Sequence, residues 1–151
     1  MKILVDSNIL VRLFHLASGQ HRQAVDAVQT LRNKKAQLCL VPQNFYEFWS
    51  VATRPTNVNG LGFPVGQVQN LVMSIKGTFV LLDETPAFLV EWERLAALHA
   101  VVGKNVHDAR LVAAMVVHGI THLLTFNAQD FQRFTNITVL TPMDVLAAST
   151  S

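Results

Sequence analysis

Residues 1–10 read MKILVDSNIL, and the rest of the chain is best read outward from them. Ile3, Leu4 and Val5 form an unbroken aliphatic run, the pattern of a strand buried on both faces. Asp6 ends that run with a residue that strands disfavour. Asp-Ser-Asn is also common N-cap chemistry, so two readings stand side by side: Asp6 or Ser7 caps the next helix, or a carboxylate opens a site at the end of a buried strand. Partners elsewhere in the chain decide between them.

Beyond Asp6 the spacing predicts a short helix over residues 8–16, with Ile9, Leu13 and Leu16 on one face, broken near Ser18-Gly19. A second helix covers 21–34, where Ala24, Val25, Val28 and Leu31 recur at helical spacing. Residues 38–41 read as another buried strand. Pro42 and Gln43 open a helix to about Arg54, stopped by Pro55, whose apolar stripe is Phe45, Phe48, Trp49 and Ala52. Glu47 falls about 200° round from Phe45 at 100° per residue, so periodicity alone places it in solvent. PTNVNGLGF (55–63) is rich in turn formers, and serves either as a binding loop or as plain connection.

Alternation of strand and helix continues to the end. A helix over 65–76 ends at Gly77, a strand spans 79–82, and Pro86 opens a helix through Trp92, Leu95 and Leu98. After Gly103, residues 107–118 are apolar nearly all round and must be buried. Asp108 lies one turn before Leu111, Val112 and Met115 on their side, so its carboxylate sits beside the core unless it caps the helix. Gly119 ends that helix. Residues 123–126 form a fourth strand, followed by Asn127 and Asp130 in TFNAQDF; residues 137–140 form a fifth, and 142–148 a closing helix.

Composition bounds the rest. A length of 151 residues suits one domain spanning 1–151. Half the residues are hydrophobic and only 15% are charged, which predicts a globular chain with apolar surface left for a partner or a second copy. A net charge of +2 permits an anionic ligand without specifying one. Cys39 is the single cysteine; lying in an apolar run, it is expected to be an inert core thiol in a reducing, cytoplasmic setting. No apolar run reaches the roughly 18 residues of a membrane span, and a signal-peptide start is missing. The six histidines show no paired zinc spacing such as HExxH.

Five short apolar strands separated by helices predict a three-layer α/β/α fold around a central five-stranded parallel sheet. Ligands of such sheets bind beyond the carboxyl ends of the strands, where strand order reverses. Asp6, Asn127 and Asp130 follow strands one and four. Glu47 lies in the segment leaving strand two, and Asp108 begins the helix feeding strand four. Four of the ten acidic residues can thus converge, and they would repel unless a divalent cation neutralised them. Oxygen ligands of this kind suit Mg²⁺ or Mn²⁺, commonly completed by a substrate phosphate.

These residues carry a resemblance to the PIN domain, and more narrowly to VapC-type ribonuclease toxins of bacterial toxin–antitoxin pairs. It rests on VDSNIL with Asp6, YEFWSVATRP with Glu47, and GKNVHDARLVAAMVVHGITHLLTFNAQDF with Asp108, Asn127 and Asp130. The resemblance implies a PIN-like fold in which Asp6, Glu47 and Asp108 form an acidic triad for metal binding and catalysis, with Asn127 and Asp130 at a fourth corner. Many relatives carry a carboxylate where this chain has Asn127, so Asp130 either binds the metal, works through a water, or caps the next turn. Ser7 matches the small hydroxyl residue beside the first Asp. The implied activity is Mg²⁺- or Mn²⁺-dependent hydrolysis of RNA to 5′-phosphate and 3′-hydroxyl ends, with a VapB-like antitoxin partner and a homodimer. Arg12, Arg54, Lys104 and Arg110 are candidates for phosphate contact. A dehalogenase-like phosphatase would resemble Asp-x-Asp, and Asn8 occupies its second acid position. A catalytically silent PIN-like module that binds RNA or protein is the alternative.

Overall fold

A computed structural model describes residues 1–149; the last two residues of the expected 1–151 domain lie outside the described residues. The N-terminal aliphatic run forms β1 (Lys2–Val5), followed by α1 (Ser7–Leu13) and α2 (His21–Asn33). Then come β2 (Gln37–Leu40), α3 (Pro42–Thr53), α4 (Val65–Thr78) and β3 (Val80–Leu81). The second half holds α5 (Ala87–Leu98), α6 (Val106–His118), β4 (His122–Leu124), β5 (Thr138–Leu140) and α7 (Pro142–Ser149). All strand pairings are parallel and the order is β3-β2-β1-β4-β5.

The centre of the sheet is apolar on both faces because its strands are unbroken aliphatic runs. On one face Ile3, Val5, Leu38, Leu40 and Leu124 pack against α1, α2, α3, α4 and α7. On the other, Leu4, Cys39 and Leu123 pack against α5 and α6, which contribute Phe88, Leu95, Leu111 and Met115. Adjacent residues of one strand thus serve opposite cores, which is why no polar alternation marks β1 or β2. Cys39 is wholly buried, and burial pushes its thiol pKa up, so it is an unreactive core residue. Among the described residues no helix is long and apolar enough to cross a membrane.

Several element ends differ from expectation. α1 stops at Leu13 and Leu16 is 78% exposed, because the ring of His21 binds the Arg12 carbonyl at 2.8 Å and closes the helix end. Gly77 lies inside α4 rather than beyond it: a Cβ there would meet nothing, and the helix runs on to Thr78. Trp49 and Leu98 face solvent. β4 ends at Leu124, so Thr125, not Asn127, is the first polar residue past the strand.

The turn-rich segment after α3 caps that helix. The N–H groups of Leu61, Gly62 and Phe63 donate to the carbonyls of Val51, Arg54 and Ala52 at 3.0, 2.8 and 2.9 Å. A Cβ on Gly60 would stand 1.9 Å from the Arg54 carbonyl oxygen, so only glycine permits this return.

Candidate active site

Strand order reverses between β1 and β4, since β2 and β3 lie on one side of β1 while β4 and β5 lie on the other. Asp6 leaves β1 at that point, and its N–H extends the ladder to the Leu124 carbonyl at 2.9 Å. Its side chain does two things at once. Oδ1 accepts from the Ser7 N–H at 2.7 Å, which makes Asp6 the N-cap of α1. Oδ2 accepts from the Thr125 hydroxyl at 2.7 Å and from Asn8 Nδ2 at 3.3 Å. The cap and the site are the same residue.

Thr125 and Asn8 stitch the two strand ends together. Thr125 Oγ1 also accepts from Asn8 Nδ2 at 3.1 Å and from the Asn127 N–H at 3.0 Å, and Asn8 Oδ1 accepts from the Phe126 N–H at 3.2 Å. Every polar atom of the wholly buried Thr125 side chain is therefore engaged.

Helix α3 brings the second carboxylate. Asn44, wholly buried in its first turn, accepts from the Val41 N–H at 2.8 Å and donates to the Val5 carbonyl at 3.0 Å and Ser7 Oγ at 3.2 Å. That amide locks α3 against the end of β1. One turn on, Glu47 Oε1 accepts from the Ser7 hydroxyl at 2.7 Å, and Oε2 from Gln43 Nε2 at 3.4 Å. Glu47 is half-buried at the cleft, contrary to its helical phase. The face of α3 that faces the core is Asn44, Phe48 and Ala52, rotated away from the Phe45–Trp49 stripe, because Asn44 takes a core position for its hydrogen bonds.

Asp108 and Asp130 complete the acidic wall. Asp108 stands in the first turn of α6, where Asn105 holds the cap position, so the capping alternative does not apply. Asp130 lies in a 3-10 turn spanning Ala128–Phe131. A single cleft of ≈ 360 Å³ is lined by Asp6, Glu47, Asp108 and Asp130 together with Ser7, Asn8, Asn127 and Arg12, and Asn59 from the turn-rich segment reaches it too.

The electrostatics are those of crowded acids. Burial, more than anything else, raises Asp6 to about 6; Glu47 and Asp108 add to the rise, while the Thr125 and Ser7 hydrogen bonds oppose it. Asp108 is also raised to about 6, by burial first and then by Asp130 and Glu47, against the pull of Arg133 and Lys104.

The four basic candidates divide. Arg12 lines the cleft, its Nε donating to Gln20 Oε1 at 3.0 Å. Lys104 lies near enough to favour the Asp108 anion. Arg54 and Arg110 line an adjoining groove instead, and Arg110 is ion-paired to Glu84. Sequence reasoning passed over Arg133, Thr125, Asn8 and Asn59. Only Thr125 carried a signal, as a hydroxyl at the mouth of a buried strand.

The donor set suits a hard divalent cation in kind: carboxylate, amide and hydroxyl oxygens only, with mutual repulsion that a cation would relieve. In spacing it is open: among the described residues, no three Asp, Glu, His or Cys side chains stand close enough together to hold a metal ion as they are.

The family model described as PIN domain matches residues 3–137. No curated protein sequence matches the chain. Among solved structures it is similar to VapBC2 from Rickettsia felis bound to a DNA fragment from its promoter, at 13% identity and a TM-score of 0.72, covering 93% of this chain and 98% of that one. A toxin–antitoxin complex from Klebsiella pneumoniae matches at 23% identity and a TM-score of 0.65, covering 93% and 97%. VapC20 of Mycobacterium tuberculosis, a Sarcin-Ricin loop cleaving toxin, matches at 16% identity and a TM-score of 0.57, covering 80% and 86%. At these identities the likeness is one of fold.

Proposed function

The chain belongs to the PIN domain family, and from that premise we propose that it is a divalent-cation-dependent endoribonuclease, the toxin of a toxin–antitoxin pair. The observation that carries this reading is the single cleft at the strand-order switch, lined by Asp6, Glu47, Asp108 and Asp130. Similarity to VapC20, named for cleaving the Sarcin-Ricin loop, supports RNA as substrate, and similarity to VapBC complexes supports a VapB-like antitoxin. The whole chain is read as one such domain, cytoplasmic, and a homodimer; exposed apolar side chains such as Leu89 and Val90 suit a subunit contact.

Asp6, Glu47, Asp108 and Asp130 would hold Mg²⁺ or Mn²⁺, with Ser7 and Asn127 supporting. When bound, the cation supplies charge neutralisation at the phosphate and a more acidic water. This chain's own residues prepare the site for it. Three donors fix the Asp6 carboxylate in place at the end of β1. Ser7 and Gln43 hold both oxygens of Glu47. Asp108 is held by no side-chain hydrogen bond among the described residues, which leaves its carboxylate free to turn to an incoming ligand. Arg12 and Lys104 offer positive charge to the phosphate backbone at the rim.

One observation favours the silent-module reading, namely that no ready-made metal cluster stands among the described residues. RNA cleavage decides. Wild type is expected to cut RNA with Mg²⁺ or Mn²⁺ and not with EDTA, while Asp6→Asn and Asp108→Asn each lose on the order of a hundredfold or more in rate, as expected for charge-stabilising groups. Equal RNA loss in all three proteins would reject the nuclease reading.

A further inference from the structure

A second groove, ≈ 390 Å³, adjoins the acidic cleft and shares Glu47 and Val51 with it. Its other wall has a different chemistry, formed by Tyr46 and Arg54 beside Gln43 and Ser50. Tyr46 is 64% exposed and lines the groove, so most of its ring is open to a ligand there. The Arg54 guanidinium donates to the neutral Ser50 hydroxyl at 3.3 Å, and no carboxylate pairs with it among the described residues. Arg110, which also lines the groove, is by contrast already tied to Glu84.

Arg54 is also held in place. Its carbonyl accepts from the Gly62 N–H, and its backbone fits the space left by the missing side chain of Gly60. An aromatic face, an unneutralised guanidinium and a neighbouring carboxylate cleft are the three elements that bind a base, a phosphate and a bond to be cut.

The geometry points to a nucleotide subsite. The groove takes the nucleotide next to the cut in single-stranded RNA, with its base on Tyr46 and its phosphate on Arg54, while the scissile phosphate lies in the acidic cleft. Single-stranded RNA is required because bases in a duplex stack on one another and offer no free face to a side chain. This assignment rests on the ribonuclease reading above and adds to it the residues that hold the nucleotide beside the cut.

The test is binding without cleavage. A short fluorescein-labelled single-stranded RNA of mixed sequence is titrated, in EDTA, with wild type, Tyr46→Ala, Tyr46→Phe, Arg54→Ala, Arg54→Lys and, as control, Lys76→Ala on α4. Tyr46→Ala is expected to bind about tenfold more weakly or worse, and Tyr46→Phe to bind like wild type. Arg54→Ala should lower the slope of log K against log salt by about 0.7, with Arg54→Lys retaining it. Duplex RNA of the same sequence should be indifferent to Tyr46→Ala.

Wild-type affinity in Tyr46→Ala, or an equal loss for duplex and single strand, overturns the subsite. Parallel cleavage assays with Mn²⁺ separate the two readings. If wild type cuts RNA while Tyr46→Ala binds normally, the subsite falls and the nuclease reading stands. If binding depends on Tyr46 and Arg54 but nothing is cut, the groove is supported and the nuclease reading falls. If wild type neither binds nor cuts, both are overturned.

Discussion

Asp6 accepts three hydrogen bonds and still has a pKa near 6, because taking a carboxylate out of water costs more than those donors return, and Glu47 and Asp108 repel it. A folded value near 6 against an ordinary 3.8 means that the native state holds this proton more tightly than the unfolded chain. The resulting stability is fully present below about pH 3.8 and is lost as pH rises through about 6. Without cation, wild type should therefore lose up to about 3 kcal/mol relative to Asp6→Asn between pH 4 and 7 in denaturant titrations. A flat difference would refute the assignment. Asp108 acts in the same direction with a smaller effect, being half-exposed and screened. Thr125→Val removes a donor that lowers Asp6, so the pH at which Mg²⁺ binding sets in should rise by calorimetry, while Thr125→Ser leaves it in place. At this scale the sequence was partly legible. Asp6 and Asp108 stood out because each interrupts or flanks an apolar run. Thr125 offered only a hydroxyl at a strand mouth and Asn8 no signal, since their partners are fixed by the β1–β4 register, in which Val5 stands beside Leu124, 119 residues away in sequence.

Helix α3 shows what periodicity reads and what it misses. Its boundaries followed from Pro42 and Pro55, and strands β1 and β2 from their aliphatic runs. Its phase did not follow, because a rule that ranks side chains by hydrophobicity cannot anticipate Asn44 in the core, serving the Val41 N–H and the Val5 carbonyl. That one amide turns Glu47 toward Ser7. The resemblance had supplied Glu47 where helical phase placed it in solvent. The segment after α3, open to two readings in the sequence, proves to be mainly a helix cap that also delivers Asn59 to the cleft. Gly60→Ala forces a Cβ onto the Arg54 carbonyl, and should cost roughly 1–3 kcal/mol by analogy with overpacked sites. The same variant should weaken single-stranded RNA binding through Arg54. Unchanged unfolding free energy would show that the segment does not pin the end of α3.

Across the whole molecule, order β3-β2-β1-β4-β5 is what turns scattered acids into one cleft. Five parallel strands follow from the alternation of elements, but their order does not, because short aliphatic strands of similar length carry little to distinguish one neighbour from another. With β1 central, the chain leaves β3, crosses the opposite face through α5 and α6, and returns beside β1 as β4. Asp108 thereby comes to the same edge as Asp6, and Asp130 follows from the turn after β4. Fold and proposed chemistry meet in the claim that acids from these separate elements act as one cation site. Thermal unfolding in rising Mn²⁺ and Mg²⁺, for wild type, Asp6→Asn and Asp108→Asn, tests it most directly. A ligand bound only by the native state, at a hundred times its Kd, adds about 2.7 kcal/mol, or roughly 5–10 °C in Tm for a chain of this length. Wild type should show that rise and both variants little of it; no rise in wild type over millimolar cation, or an equal rise in all three, would contradict the account.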